Sequence, residues 1–81
     1  MFMTDHLQLV TLFGSLIDLA GTTEVYLRGS TVAELRNHFI QQFPEAARYT
    51  WTVAVNHHWA KEDQALVSGD EIVFLPPFSG G

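Results

Sequence analysis

The sequence has no cysteine among its 81 residues. It therefore has no thiolate nucleophile, no disulfide and no zinc site that depends on sulfur ligands. Basic residues are scarce as well, with four Lys and Arg against nine Asp and Glu, for a formal net charge of −5. Because the four are scattered along the chain, nucleic acid and anionic membranes are poor candidates for partners.

Long hydrophobic segments are also missing. The longest uncharged apolar stretch runs from Leu7 to Ile17 and is about half of the ~20 residues that a membrane-spanning helix needs. No Lys or Arg precedes it, and no small-residue cleavage pattern follows, so a secretory signal is not expected. We expect a cytoplasmic protein that does not associate with membranes.

Sequence signatures of catalysis are absent too. No serine lies in a nucleophile-elbow context, and there is no glycine-rich phosphate-binding loop. His57 and His58 are adjacent, and adjacent residues of an extended chain point to opposite faces, so no metal site is expected there. We expect no enzymatic activity from this chain alone.

What the sequence does contain is enough apolar residues, 47%, to build the core of one small domain. Thr31 followed by Glu34 forms a capping box, in which the hydroxyl accepts from a first-turn amide and the carboxylate reaches back to the cap. Apolar residues then recur at helical spacing until Pro44. They are Val32, Leu35, Phe39 and Phe43.

Alternating or continuous apolar segments predict the strands around this helix. We expect strands at 7–13, 22–27, 51–55, from 58 onwards and at 72–75, with a short helix at 16–20.

One helix across one mixed sheet is the simplest packing for this order of elements. With the first two strands antiparallel and the last parallel to the first, the helical crossover has the usual handedness. The expected fold is α+β, a ubiquitin-like β-grasp in which about five strands wrap one main helix. We assign residues 1–76 to this domain and 77–81 to a flexible, extended tail that ends in Gly-Gly.

The last predicted strand is apolar at every position, although the helix covers only one face of such a sheet. If Ile72 and Phe74 face the helix, Val73 and Leu75 point outwards, and Phe13 at the end of the first strand joins them. An uncovered apolar surface usually marks a partner surface. The alternative is that loops cover it.

The end of the chain is the strongest functional signal. Pro76 and Pro77 stiffen the exit from the sheet, and Phe78 is suited to anchor the tail at a partner. Gly80 and Gly81 lack β-carbons, so they can enter a channel too narrow for other residues and carry the terminal carboxylate to its end. The reactive group would then belong to Gly81.

Five segments occur in a characteristic order and spacing: 12–21, 31–35, 53–56, 68–72 and 76–81. Together they resemble the sulfur-carrying small subunits of molybdopterin synthase over nearly the whole chain.

The resemblance implies that a ubiquitin-activating-like adenylating enzyme uses ATP to adenylate Gly81. A sulfurtransferase then supplies the sulfur of a C-terminal thiocarboxylate, which is donated to cyclic pyranopterin monophosphate during molybdenum cofactor biosynthesis. It implies no bound cofactor, and a large subunit that supplies the catalytic groups in a heterotetramer of two small and two large subunits. The carrier residues are then Gly80 and Gly81, and the partner-contacting residues are Phe13, Val73, Leu75, Pro76, Pro77, Phe78 and Ser79.

Three other functions stay open. A sulfur carrier of the thiamine pathway has the same fold and ending, but its helical region is typically shorter. A ubiquitin-like protein modifier would use the same activation chemistry to join Gly81 to lysines. A plain interaction module would not use its terminus at all.

Overall fold

The computed structural model of the chain describes residues 7–76. The predictions for Pro77, Phe78, Ser79, Gly80 and Gly81 lie outside the described residues. In the described part, the chain forms five strands and two α-helices, in the order β1 (Leu7–Leu12), α1 (Ser15–Ala20), β2 (Glu24–Arg28), α2 (Val32–Gln42), a 3₁₀ helix (Pro44–Arg48), β3 (Thr52–Val55), β4 (His58–Trp59) and β5 (Ile72–Leu75).

All five strands belong to one mixed sheet with the order β2-β1-β5-β3-β4. The first and last strands, β1 and β5, are parallel neighbours in its centre, and the other pairs are antiparallel. The apolar side chains of α2 pack against one face of the sheet. The prediction of a ubiquitin-like β-grasp fold is confirmed.

The start of α2 shows how closely the local sequence determines this helix. Thr31 Oγ1 accepts a hydrogen bond from the Glu34 amide at 3.2 Å, as the capping box predicts. The Glu34 carboxylate, however, accepts from the amide of Ser30 at 2.7 Å and from its hydroxyl at 3.0 Å, one residue before the cap. The second half of the motif therefore holds the chain that enters the helix.

The remaining amides of the first turn depend on a distant loop. Val32 N–H donates to the Gln64 carbonyl at 3.1 Å, and Ala33 N–H donates to the Glu62 carbonyl at 2.9 Å. The first amides of a helix have no partner inside the helix. Here a loop about 30 residues further along the chain supplies a carbonyl acceptor for each of these two amides. This arrangement ties α2 to the segment that leads into β5.

The core is built around three aromatic rings. Phe39 of α2 lies edge-on to Trp51 and Phe74, with centroid distances of 5.5 and 5.3 Å. The Trp51 indole N–H donates to the Ala46 carbonyl at 3.0 Å, and the Arg36 guanidinium lies 4.4 Å from the centre of the Trp51 ring. These contacts join α2, the 3₁₀ helix and β5 around one indole.

The turn between β3 and β4 is joined to the start of β5. Asn56 and His57 have positive φ angles of 51° and 71°, as a two-residue hairpin with a type I′ turn requires. The Asn56 side chain donates to Asp70 Oδ1 at 3.0 Å and accepts from the Glu71 amide at 2.9 Å. The Val67 amide donates to Asp70 Oδ2 at 2.9 Å. The hydrogen bond from Val67, and then that from Asn56, lowers the pKa of the Asp70 carboxyl below its ordinary value.

The helices of residues 7–76 are short, the longest being α2 with 11 residues. None of them has the length and hydrophobicity needed to cross a bilayer.

Replacing Asp70 tests this polar junction. Asp70→Asn places an amide N–H₂ against one of two donors, so we expect a loss of stability at pH 7 of about 1 kcal/mol, the usual net value of one hydrogen bond. The folded-state pKa lies below the ordinary value of 3.8. The stabilisation is therefore present above pH 3.8 and is lost as pH falls through the folded-state pKa.

Urea unfolding of both proteins at pH 7 and near pH 2.5 checks this prediction. The difference between them should shrink at the lower pH. Asp63→Asn, which removes an exposed carboxylate from the preceding loop, is the charge-matched control. An Asp70→Asn effect that is the same at both pH values would contradict the assigned role of the ionised carboxylate.

Candidate protein-docking site

The face of the sheet opposite α2 carries a continuous apolar surface. Side chains alternate along each strand, so Val73 and Leu75 point away from the helix while Ile72 and Phe74 point towards it. The register pairs Val73 with Thr11 on one side and with Ala54 on the other. The outer face of β5 is therefore the centre of this surface.

Phe13 follows directly after β1 and is held at the same end of the sheet as Leu75. Its amide donates to the Phe74 carbonyl at 3.1 Å, which continues the parallel pairing of β1 with β5 by one residue. The structure thus brings together Phe13, Val73 and Leu75 as the sequence suggests.

A shallow groove of about 270 Å³ lies on this face. Two large aromatic side chains line it, with 50% of Phe13 and 62% of Trp59 exposed to solvent. Val73 and Ala54 lie between them. The groove is lined by Phe13, Ala54, His57, Trp59, Glu71, Val73 and Leu75.

Sequence reasoning missed Trp59. It lies on this face because the two-residue turn pairs it with Ala54, which is itself paired with Val73. Residues 52–55 alternate between the two faces of the sheet, and a two-residue turn fixes which of them pairs with Trp59. This pattern could have predicted the face on which Trp59 lies.

Leu75 differs from the expectation of an outward contact residue. It lies on the outer face, but it is only 7% exposed and is not part of the core cluster beneath the sheet. Leu75 is thus the apolar floor of the groove, while Phe13 and Trp59 form its accessible walls.

One edge of the groove is polar. His57 Nε2 lies 3.1 Å from Glu71 Oε1, and both side chains are exposed. Glu24, on the far side of Thr11, adds a second carboxylate on the same face. A partner that binds here meets an apolar centre with acidic groups beside it.

A larger cavity, of about 530 Å³, lies between the end of β2 and α2. It is open and polar, and its side chains are engaged in supporting the fold. His38 Nδ1 accepts from the Arg28 amide at 2.8 Å, and the Glu34 carboxylate accepts from Ser30. No sequence-predicted site residue lines it, so we assign it a structural role.

Among residues 7–76, no group of three or more acidic or histidine side chains is arranged to hold a metal ion. His57 belongs to the turn and contacts Glu71, whereas His58 is paired with Val55 in β4.

At the end of β5, Pro76 lies against Gly14. A β-carbon built on Gly14 would be 2.7 Å from Pro76 Cγ. Pro76 is the last described residue, so the predicted roles of Pro77, Phe78, Ser79, Gly80 and Gly81 stay predictions.

Comparison with known proteins connects these features to a family. The model of the ThiS family matches residues 10–81. The sulfur carrier subunit of molybdopterin synthase from Escherichia coli is 36% identical, over 89% of this chain and 96% of that protein.

Two solved structures are similar throughout. The small archaeal modifier protein 1 from Methanosarcina acetivorans has a TM-score of 0.77 and 26% identity, over 93% of this chain and 96% of its own. A chain in the complex of subunits 1 and 2 of the molybdopterin-converting factor from Helicobacter pylori has a TM-score of 0.66 and 24% identity, over 93% and 99%.

The unequal exposure of the groove residues gives a stability prediction. Leu75→Asp buries a carboxylate without a partner and should lower the free energy of unfolding by about 3 kcal/mol or more. Phe13→Asp changes a half-exposed side chain and should lower it by only about 1 kcal/mol. Chemical denaturation of the two variants at pH 7 measures both free energies of unfolding. Equal losses of stability would show that Leu75 is not the floor of the groove or that Phe13 is not its exposed wall.

Proposed function

This chain belongs to the ThiS family, and we propose that it is the sulfur-carrier subunit of a molybdopterin synthase. The observation that carries the proposal is its 36% identity to a relative of that name, along 96% of the relative's length. The same chain ends in Gly80-Gly81, and it presents an apolar docking face next to the strand that leads to this ending.

The proposed chemistry takes place at the terminal carboxylate of Gly81. A carboxylate is a poor electrophile because it lacks a good leaving group. Attack of its oxygen on the α-phosphorus of ATP releases pyrophosphate and gives an acyl adenylate, whose AMP is a good leaving group. A sulfide equivalent from a sulfurtransferase then attacks the carbonyl carbon, expels AMP and leaves the thiocarboxylate.

The thiocarboxylate is a soft nucleophile that can attack cyclic pyranopterin monophosphate. Two carriers, one for each sulfur, would complete the dithiolene. This chemistry accounts for the absence of cysteine, since the sulfur is bound to the terminal carbonyl. In this proposal the large subunit supplies the catalytic side chains. ATP-dependent activation is consistent with a cytoplasmic location.

The outer face of the sheet is the proposed docking surface for the large subunit. Phe13 and Trp59 offer exposed aromatic area beside Val73, and aromatic residues of this kind are typical anchors of interfaces. The H. pylori relative occurs in a complex with a second subunit. We propose a heterotetramer of two carriers and two large subunits, and binding of an adenylating enzyme and a sulfurtransferase at an earlier step.

A second candidate is a protein modifier joined through Gly81 to lysines. The similarity to the M. acetivorans modifier favours it. Immunoblotting of cell extracts for covalent adducts of this chain separates the two functions, because a dedicated sulfur donor forms none.

Changing the C-terminus tests the carrier role directly. Deleting Gly81, or adding residues after it, should abolish molybdopterin formation, because the activated carboxyl group is lost or displaced. Within residues 7–76 the core cluster extends from Val10 to Phe74, so we expect the thermal unfolding midpoint to change little. The assay measures molybdopterin made from the pyranopterin precursor by purified activating enzyme, carrier and large subunit. Product formation by the deletion variant would rule out the proposal.

A substitution on the docking face tests the proposed interface. Phe13→Asp should weaken binding to the large subunit by about 2 kcal/mol, roughly 30-fold in Kd, because it places a charge in an apolar contact. Val67→Asp is the matched control, since Val67 is 64% exposed and does not line the groove. Titration calorimetry with the isolated large subunit measures both affinities. Equal affinities for the two variants would exclude this face as the interface.

A further inference from the structure

Gly14 occupies an unusual position at the end of β1. Its φ of 62° and ψ of −137° are accessible to glycine but not to residues with a β-carbon. A β-carbon at this site would lie 2.7 Å from Cγ and 3.2 Å from Cδ of Pro76. Two other glycines with positive φ, Gly21 and Gly69, have nothing within 4 Å of such a carbon.

The backbone around Gly14 is held from both sides. Phe13 donates to the Phe74 carbonyl at 3.1 Å, which attaches the corner to β5. The Gly14 carbonyl accepts from the Ile17 amide at 3.0 Å and begins α1. The corner therefore cannot move away from Pro76 without breaking a strand pairing or a helix start.

Pro76 is equally restricted, because its ring fixes φ near −65°. It follows β5 directly, so its position determines the point at which the chain leaves the sheet. The missing β-carbon of Gly14 provides the space in which the Pro76 ring lies.

We infer that Gly14 is a positioning residue for the proposed sulfur transfer, because it leaves room for the Pro76 ring and thereby fixes the point from which the segment with the Gly81 carboxyl group departs. The inference rests on the proposed function. Five residues follow Pro76, and a fully extended segment of that length spans at most about 17 Å. A displacement of only ~1 Å at a reacting centre can reduce the rate ~100-fold.

The location of this corner adds to the argument. Gly14 is adjacent to Phe13, and Pro76 is adjacent to Leu75. A partner that binds the groove therefore contacts the chain next to the point where the tail departs. The contact between Gly14 and Pro76 would therefore fix the start of the tail relative to the groove that binds the partner.

The test compares four variants, each prepared with a chemically installed C-terminal thiocarboxylate so that the adenylation step is bypassed. They are Gly14→Ala, Pro76→Ala, the double variant Gly14→Ala/Pro76→Ala, and Gly21→Ala. Gly21→Ala is the matched control, because Gly21 also has a positive φ, of 77°, but contacts nothing at the added carbon. Single-turnover sulfur transfer to the pyranopterin precursor is measured over a range of large-subunit concentrations.

We expect Gly14→Ala to lower the saturated transfer rate at least tenfold while the concentration for half-saturation changes less. Gly21→Ala should transfer at the wild-type rate. The double variant should recover part of the lost rate, because removing Cγ and Cδ removes the collision while the backbone strain of a β-carbon at position 14 remains. The rescue separates the collision with Pro76 from the backbone strain at position 14, and the saturated rate separates a positioning defect from weakened binding.

Two results would overturn the inference: a saturated rate for Gly14→Ala equal to that of Gly21→Ala, or a double variant no faster than Gly14→Ala. If Gly14→Ala does not fold, the test uses Pro76→Ala instead. Its control is Pro44→Ala, because Pro44 is exposed and lies outside the groove. The saturated rate should then fall about threefold or more for Pro76→Ala alone, and equal rates would refute the inference. Failure of the proposed function can be distinguished from failure of this inference. In that case even the wild-type thiocarboxylate would transfer no sulfur.

Discussion

The parallel pairing of β1 with β5 is the interaction on which the rest of this structure depends. It joins the first and last strands of the chain in the middle of the sheet, and every other strand is added to one side or the other. The pairing buries Val10, Leu12, Ile72 and Phe74 against α2. It also places Phe13 beside Leu75, and Gly14 beside Pro76. The groove and the point at which the chain leaves the sheet therefore both depend on the register of this one strand pair.

Within residues 7–76, the helices cover one face of the sheet and leave the other available for binding. In this protein that face is apolar across three strands, with Phe13 at one wall, Trp59 at the other and Leu75 beneath them. Burying such a surface against a partner contributes affinity without requiring the carrier to change shape. Most of the core cluster lies on the opposite face, and the buried Leu75 is the groove residue that serves both stability and binding.

The proposed chemistry makes few demands on the folded domain itself. A terminal carboxyl group activated by one enzyme and used by another needs a carrier that is recognised and correctly aimed. In the proposed scheme the groove provides recognition, and the corner where the Pro76 ring fills the space next to Gly14 fixes the point from which the tail departs.

Local sequence was sufficient to predict the elements, and the buried faces of α2 and β3. The stripe of Val32, Leu35 and Phe39 and the alternation in β3 depend on residues a few positions apart, and the structure confirms both. The functional hypothesis depends on the Gly80-Gly81 ending, which was likewise recognised from the sequence alone.

Contacts between distant segments were decided only by the tertiary structure. The burial of Leu75, the approach of Trp59 to Val73 across Ala54, and the seating of Pro76 on Gly14 all require the register between strands that are far apart in sequence. A one-residue shift in that register would reverse the face of every side chain without altering any local pattern. For this reason the sequence by itself determined which residues form strands and helix, and the packing of the whole chain decided which of them form the groove and the tail exit.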